Sequence, residues 1–166
     1  MFEAIHPPAE PTNEQPWRFL VARRNDPTEF ERLLSCIAPA NHASAMEAPV
    51  LVLSIVTLNF SKSDGRNHAA LRDLGLACAN LAMAALVRGY SVHQIMGIFP
   101  ERVRDLYRVP ECFAAWTSMA IGYQENTHSL PAVLPQRETT TQGQHRASQF
   151  VFTGSWGQPS FQAARS

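Results

Sequence analysis

Histidine and cysteine are the side chains of this sequence best suited to bind a metal ion or to act as nucleophiles. No two histidines stand at the spacing of a metal-ligand pair, so we predict no metal site. An odd number of cysteines without C-x-x-C spacing indicates reduced thiols in a cytoplasmic protein. A nucleophile built from Cys78 and His93 stays open, although a cysteine on an apolar helix face is usually inert. The residues concerned are His6, His42, His68, His93, His128 and His145, with Cys36, Cys78 and Cys112.

The common catalytic templates are absent, since the sequence has no G-x-S-x-G, no P-loop, no H-E-x-x-H and no G-x-G-x-x-G after a strand. What remains is a set of segments in a fixed order. Taken one at a time, they fit a turn before a strand, a helix cap, a core helix, two strands and a tail. They are N-E-Q-P-W (13–17), P-A-N-H-A-S-A-M-E-A-P-V (39–50), A-L-R-D-L-G-L-A-C-A-N-L-A-M-A-A-L (70–86), H-Q-I-M-G-I (93–98), M-A-I-G-Y (119–123) and the stretch 130–159, which contains F-V-F-T-G-S-W-G-Q-P.

Proline interrupts regular structure, and its positions divide the chain into the elements that must hold these segments. We predict strands at 17–22, 50–58, 90–95 and 112–123. Helices are predicted at 27–38, 67–88 and 100–107, with a helical turn at 41–47. The run V-L-V-L-S-I-V-T-L is almost continuously apolar, which is typical of a strand covered on both faces. Strands and helices alternate without a regular βαβ order, so the predicted class is α+β.

Charge and length limit the range of functions. Lys plus Arg and Asp plus Glu each number 14, so the formal net charge is zero, which argues against nucleic acid or an anionic membrane as a partner. We expect no secretory signal and no membrane span, because no window reaches the ~18 apolar residues that a span needs. The 166 residues predict one domain, 1–166, with an extended C-terminal arm at 124–166.

The predicted helix at 67–88 is apolar on nearly all sides. Leu71, Leu74, Cys78 and Leu81 share one face, and small residues occupy the others. In a chain of this length, a second subunit is the natural cover for such a helix. The apolar triplet F-V-F at 150–152 follows a long polar stretch and is expected to form a strand at a sheet edge, on another subunit. Both features predict a homodimer.

The ordered set of segments resembles the nitroreductase family of flavin enzymes, from about residue 2 to residue 159. Its members show N-x-Q-P-W-x-F before the first strand and an Asn-containing turn before an A-P-x-L strand. They then show D-x-G-x-A-x-x-N-L on a central helix, H-x-M-x-G-F after the third strand and A-x-G-Y closing the fourth. The resemblance implies an α+β fold with an antiparallel-rich sheet flanked by helices. It also implies a homodimer with the long helices at the interface and a C-terminal strand that crosses to the partner.

The resemblance further implies an FMN-dependent oxidoreductase. NAD(P)H would reduce the flavin, and a small planar acceptor such as a nitroaromatic or a quinone would then take the hydride. Asn41 would read the pyrimidine edge of the ring, although a helix cap is the alternative for this residue, as an Asx turn is for Asn13. The cofactor-binding residues carried over are Asn13, Gln15, Asn41, Met96, Gly97, Gly122, His145 and Arg146; no catalytic residue is assigned.

The sequence departs from the family where the FMN phosphate is held. The N-terminal basic segment R-R-S-x-R is missing, so the domain reads as N-terminally shortened, and A-P-S has become P-A-E at 8–10. Near the C-terminus, R-x-R-K-P-L has become Q-G-Q-H-R-A, with Gln142 and Gln144 in place of two arginines. Three hypotheses follow. The chain is an FMN oxidoreductase with weak cofactor binding or a rearranged clamp, a catalytically silent binding or structural subunit, or an incomplete product of a longer gene.

Overall fold

The computed structural model describes residues 1–5, 13–63, 65–123 and 143–160. The chain divides into two compact units, Met1–Glu125 and Asn126–Ser166. The first unit holds the sheet and the long helices, and the second is described from residue 143 to residue 160. None of the helices in these described ranges is long and apolar enough to cross a membrane.

The first unit is built on one antiparallel sheet of four strands in the order β1-β2-β4-β3. The strands are β1 (Trp17–Arg23), β2 (Val50–Thr57), β3 (Ser91–Ile95) and β4 (Phe113–Gly122). Strand β2 is an inner strand of the sheet, and its side chains from Leu51 to Val56 are all buried. This burial on both faces confirms the prediction made from the continuous apolar run.

In the described part of the first unit, four α-helices flank the sheet: α1 (Pro27–Leu34), α2 (His42–Ala45), α3 (Ala70–Leu86) and α4 (Pro100–Tyr107). Helix α1 begins at Pro27 because the Asp26 side chain accepts a hydrogen bond from the Glu29 backbone N–H at 3.2 Å. Helix α3 ends before Gly89, whose φ of 79° is left-handed. The predicted α+β class with flanking helices is confirmed.

The helix boundaries differ from the predictions at one instructive place. Helix α1 was expected to run to residue 38, but it ends at Leu34. The chain leaves the helix there because Ile37 forms an antiparallel bridge with Ile98, which follows β3. This long-range pairing overrides the helical pattern of the local sequence.

Two apolar clusters fill the space between the helices and the two faces of the sheet. Helix α3 covers one face, where Leu74, Cys78 and Leu81 pack with Val52 and Met119. Helices α1 and α4 cover the other face, where the buried residues include Phe30, Leu33, Leu51, Leu53 and Val103.

In the second unit, the described residues form a tight reversal instead of a strand at 150–152. A 3₁₀ turn at Ala147–Gln149 is followed by a single antiparallel bridge between Phe152 and Pro159. The chain can turn back because Gly154 and Gly157 have φ values of 76° and 84°. We also expected residues 150–152 to pair with the sheet of a second subunit. This pairing stays a prediction.

Candidate functional site

The strand register determines which of the predicted site residues lie near one end of the sheet. Trp17 pairs with Val56, so the 13–16 loop that precedes β1 lies at the end where β2 finishes. Ile95 pairs with Ser118, so Met96 and Gly97 leave β3 toward the same end. Strands β1 and β3 are the two edges of the sheet. Three strand spacings, or ~14 Å, therefore separate the 13–16 loop from Gly97 across the sheet.

The 13–16 loop is held in an unusual conformation. Asn13 and Gln15 have φ values of 47° and 45°, in the left-handed region that residues with a side chain rarely adopt. The Gln15 Nε2 donates a hydrogen bond to the Asn13 Oδ1 at 3.0 Å. Two contacts tie the loop to the end of β2 and to the segment that follows it. The Pro16 carbonyl accepts from the Thr57 N–H at 2.9 Å, and the Glu14 carboxylate accepts from the Ser61 N–H at 2.8 Å. The structure therefore presents two side-chain amides as one bonded pair.

Asn41 lies at the junction of a 3₁₀ turn, Pro39–Asn41, and helix α2. Its side chain makes no capping hydrogen bond to α2, which removes the support for the helix-cap interpretation. The amide instead lies against Gly97. A Cβ atom added to Gly97 would be 2.6 Å from the Asn41 Nδ2 and 3.3 Å from the Ala38 Cβ.

Hydrogen bonds between two distant segments bring Asn41 and Gly97 together. The Ala38 N–H donates to the Gly97 carbonyl at 2.8 Å, and the Phe99 N–H donates to the Cys36 carbonyl at 2.8 Å. Met96, which precedes Gly97, is 69% exposed. The pair Asn41 and Gly97 thus forms a polar notch beside an exposed apolar side chain.

Gly122 lies away from these residues. It pairs with Ser91 at the beginning of β3, whereas Met96 follows the end of that strand. The length of β3 separates the two positions by ~16 Å. A Cβ atom on Gly122 would be 2.7 Å from the Pro49 Cδ, so a close contact within the protein already accounts for glycine at this position.

Comparison with known proteins identifies the fold. A crystal structure described as an oxidoreductase containing FMN is 26% identical to this chain, with a TM-score of 0.84 over 93% of this chain and 79% of that chain. A nitroreductase family protein from Clostridium difficile 630 is 16% identical, with a TM-score of 0.66 over 93% and 81% of the two chains. The chain has the nitroreductase fold.

The sequence itself is similar to a curated protein. An uncharacterized 15.4 kDa protein of Mycolicibacterium smegmatis, from the 5′ region of ask, is 26% identical over 148 residues, covering 86% of this chain and 99% of that protein. No family model matches the sequence. The assignment to the nitroreductase fold therefore comes from the structural comparison and agrees with the resemblance seen in the ordered motifs.

His145 and Arg146, the two cations predicted to contact a phosphate, belong to the second unit and are exposed. The backbone N–H of Arg146 donates to the Gln149 Oε1 at 2.9 Å, which begins the 3₁₀ turn. Gln144 is exposed beside them, whereas Gln142 lies outside the described residues. The phosphate contact stays a prediction.

The buried thiols of this nitroreductase fold are poor nucleophiles. Burial raises the pKa of Cys78 to about 11, and it also raises the pKa of Cys36. His93 is exposed on the edge strand β3, whereas Cys78 is buried between α3 and the sheet. The raised pKa of Cys78 argues against the nucleophile pair that the sequence left open.

Proposed function

We propose that the chain is an FMN-dependent oxidoreductase that passes a hydride from NAD(P)H to a small planar acceptor such as a nitroaromatic or a quinone. The observation that carries this proposal is the amide of Asn41, which lies against Gly97 without capping its own helix. It stands at the sequence position predicted to read a flavin ring, in a chain similar to an oxidoreductase containing FMN.

The chemistry of the site suits a flavin. A primary amide donates and accepts hydrogen bonds at once, which matches the alternating donors and acceptors along the pyrimidine edge of the ring. Asn13, Gln15 and Asn41 together supply three such amides, and Met96 supplies an exposed apolar surface for the ring. When bound, FMN would supply the hydride chemistry, and the protein residues would bind and orient it.

We also propose a homodimer that forms the site from two subunits. Helix α3 has an exposed row with the alternating three- and four-residue spacing of a helix–helix seam: Leu76, Ala79, Met83 and Leu86. Three of these side chains, Leu76, Met83 and Leu86, are 41%, 60% and 53% exposed in the single chain. A second copy packed on this α3 seam would bury them. We propose that the dimer also brings the 13–16 loop of one subunit near Asn41 of the other, since ~14 Å of sheet separates that loop from Gly97 within one chain.

We propose a cytoplasmic location, because an odd number of cysteines without C-x-x-C spacing is typical of reduced thiols in such proteins.

A second candidate is a catalytically silent subunit that keeps the fold and acts in binding or assembly. The specific observation in its favour is Gln144, an exposed neutral amide where the family has a cation. Neutral donors bind a phosphate dianion with roughly half the strength of charged ones. The proposed enzyme must therefore hold FMN mainly through its ring.

The first experiment is to purify the protein, dialyse it and record its visible absorbance. A flavin spectrum, or its appearance after addition of FMN and gel filtration, supports the oxidoreductase. Turnover is then measured with NADH or NADPH and with a nitroaromatic or a quinone. A protein that binds no FMN at ~100 μM cofactor contradicts the proposed function and favours the silent subunit.

A further inference from the structure

Arg18 is the second residue of β1, and its guanidinium turns back toward the 13–16 loop. The Nη1 of Arg18 donates to the Gln15 carbonyl at 2.9 Å and to the Trp17 carbonyl at 2.6 Å. The Cζ of Arg18 lies 5.7 Å from the centroid of the Phe113 ring, a cation–π contact with β4. One side chain therefore joins the loop to two strands of the sheet.

The loop needs such a restraint. Asn13 and Gln15 both hold left-handed backbone angles, which persist in non-glycine residues only where the surroundings determine them. The carbonyl that Arg18 binds belongs to Gln15, one of the two strained residues. The Gln15 side chain is in turn bonded to Asn13, so a restraint on the Gln15 backbone also fixes the direction of the amide pair.

We propose that Arg18 is a positioning residue that holds the amides of Asn13 and Gln15 in the orientation required to bind the flavin ring. This inference rests on the proposed function. It assigns a role to a residue that the motif comparison leaves as a variable position between Trp17 and Phe19. Arg18 acts through Gln15 and does not itself contact the reacting atoms.

The contacts of Arg18 use both the planar face and the N–H donors of its guanidinium. The guanidinium is planar, so it can place its face on the Phe113 ring while its N–H groups point along its edge to the carbonyls. A lysine ammonium has donors but no planar face. Lysine at position 18 should restore part of the restraint, and methionine, which keeps the length without donors, should remove it.

The test compares Arg18→Met and Arg18→Lys with the matched control Arg32→Met. Arg32 lies on helix α1, where its Cζ is 5.5 Å from the Tyr107 ring centroid and its Nη1 is 3.1 Å from the Glu29 carboxylate. Arg32→Met therefore also removes a cation–π contact and a guanidinium hydrogen bond, but away from the 13–16 loop. Two quantities are measured: the FMN dissociation constant, and the hydrogen–deuterium exchange of peptides covering residues 13–20 in the cofactor-free protein.

We expect Arg18→Met to weaken FMN binding at least tenfold and to speed exchange in the loop at least tenfold, with Arg18→Lys intermediate and Arg32→Met unchanged in both. Loop exchange in Arg18→Met equal to that of the parent overturns the proposal, whether or not FMN binds. Faster exchange with unchanged FMN affinity also overturns it, because the loop then has no role in binding. If the parent protein itself does not bind FMN, the proposed function fails, and the role of Arg18 in flavin binding fails with it. If Arg18→Met does not fold, Arg18→Lys decides by the same two measurements.

Discussion

The amide nitrogen of Asn41 occupies the space that a side chain at Gly97 would need, with 2.6 Å between the Nδ2 and the site of a Cβ atom. The resemblance to the nitroreductase family implied that Gly97 is one of the flavin-binding residues. The structure gives this glycine a reason to lack a side chain, which is to admit Asn41. The two residues are therefore coupled, and a change at either should act through the same amide.

A methyl group at Gly97 should weaken FMN binding without unfolding the protein. The nearest atom, at 2.6 Å, is the end of the flexible Asn41 side chain, which can swing aside. The Ala38 Cβ, at 3.3 Å, needs to give by only a few tenths of an ångström, so the fold should be kept. We expect Gly97→Ala to raise the FMN dissociation constant about tenfold, or ~1.4 kcal/mol. The thermal midpoint should change little. Gly75→Ala, at a glycine of helix α3 with no atom within 4 Å of its Cβ site, is the control for FMN affinity.

Removal of the Asn41 amide should have a comparable effect on the cofactor. We expect Asn41→Ala to weaken FMN binding by about 1–3 kcal/mol, because an edge of the ring loses its partner. Asn25→Ala is the control, since Asn25 is exposed beyond the end of β1 that lies away from the 13–16 loop. The double variant with Gly97→Ala should bind FMN no more weakly than Asn41→Ala alone. Additive losses would mean that the two residues act separately.

The sequence predicted the helices and strands better than it predicted the contacts between them. The apolar run of β2 and the Asp26-Pro27 start of α1 are local signals, and both were interpreted correctly. The contact between Asn41 and Gly97 depends on the bridge between Ile37 and Ile98, two residues distant in sequence that local patterns do not connect. Gly122 lies at the end of a strand as expected, but only the pairing register shows that it is beside the beginning of β3, away from Met96.

The α3 seam predicts the assembly state. We expect the protein to sediment as a dimer at micromolar concentration, with an interface above ~2,000 Å². A carboxylate at Met83, which is 60% exposed on the seam, should shift the equilibrium toward monomer because two charges would meet in an apolar contact. Leu106→Glu, on helix α4, is the control at a residue that is 38% exposed outside the seam. A monomeric parent at these concentrations would contradict the dimer.

Thiol reactivity should separate the cysteines by burial. At pH 8, a thiol with a pKa of about 11 is only about one part in a thousand thiolate, so Cys78 should react slowly with a thiol reagent. Cys36 is also buried with a raised pKa, whereas Cys112 is exposed. We expect rapid labelling of Cys112 alone in the native protein and of all three cysteines after denaturation. Because thiolate increases as the pH approaches the pKa, labelling of Cys78 should accelerate between pH 8 and pH 11. Rapid native labelling of Cys78 at pH 8 would show that α3 opens readily.

The missing cations predict an unusual dependence of cofactor binding on salt. A phosphate held by one or two cations loses less affinity on screening than a phosphate held by four. We therefore expect FMN to bind with little salt dependence, and to bind only slightly better than riboflavin, which has no phosphate. Titrations of both flavins at low and high ionic strength measure this directly. A steep salt dependence would mean that other cations hold the phosphate.

The complementary change restores the two arginines that the family carries, through Gln142→Arg together with Gln144→Arg. Each new charge-assisted contact contributes about 1.5–3 kcal/mol where the geometry is good, so FMN affinity should rise tenfold or more. Riboflavin should bind the double variant and the parent equally, because the added charges have no phosphate to contact. A gain for both flavins would indicate a general effect on the fold. No gain for FMN would mean that the phosphate lies elsewhere or that the site has lost its cofactor, and the silent subunit would then be the better explanation of this chain.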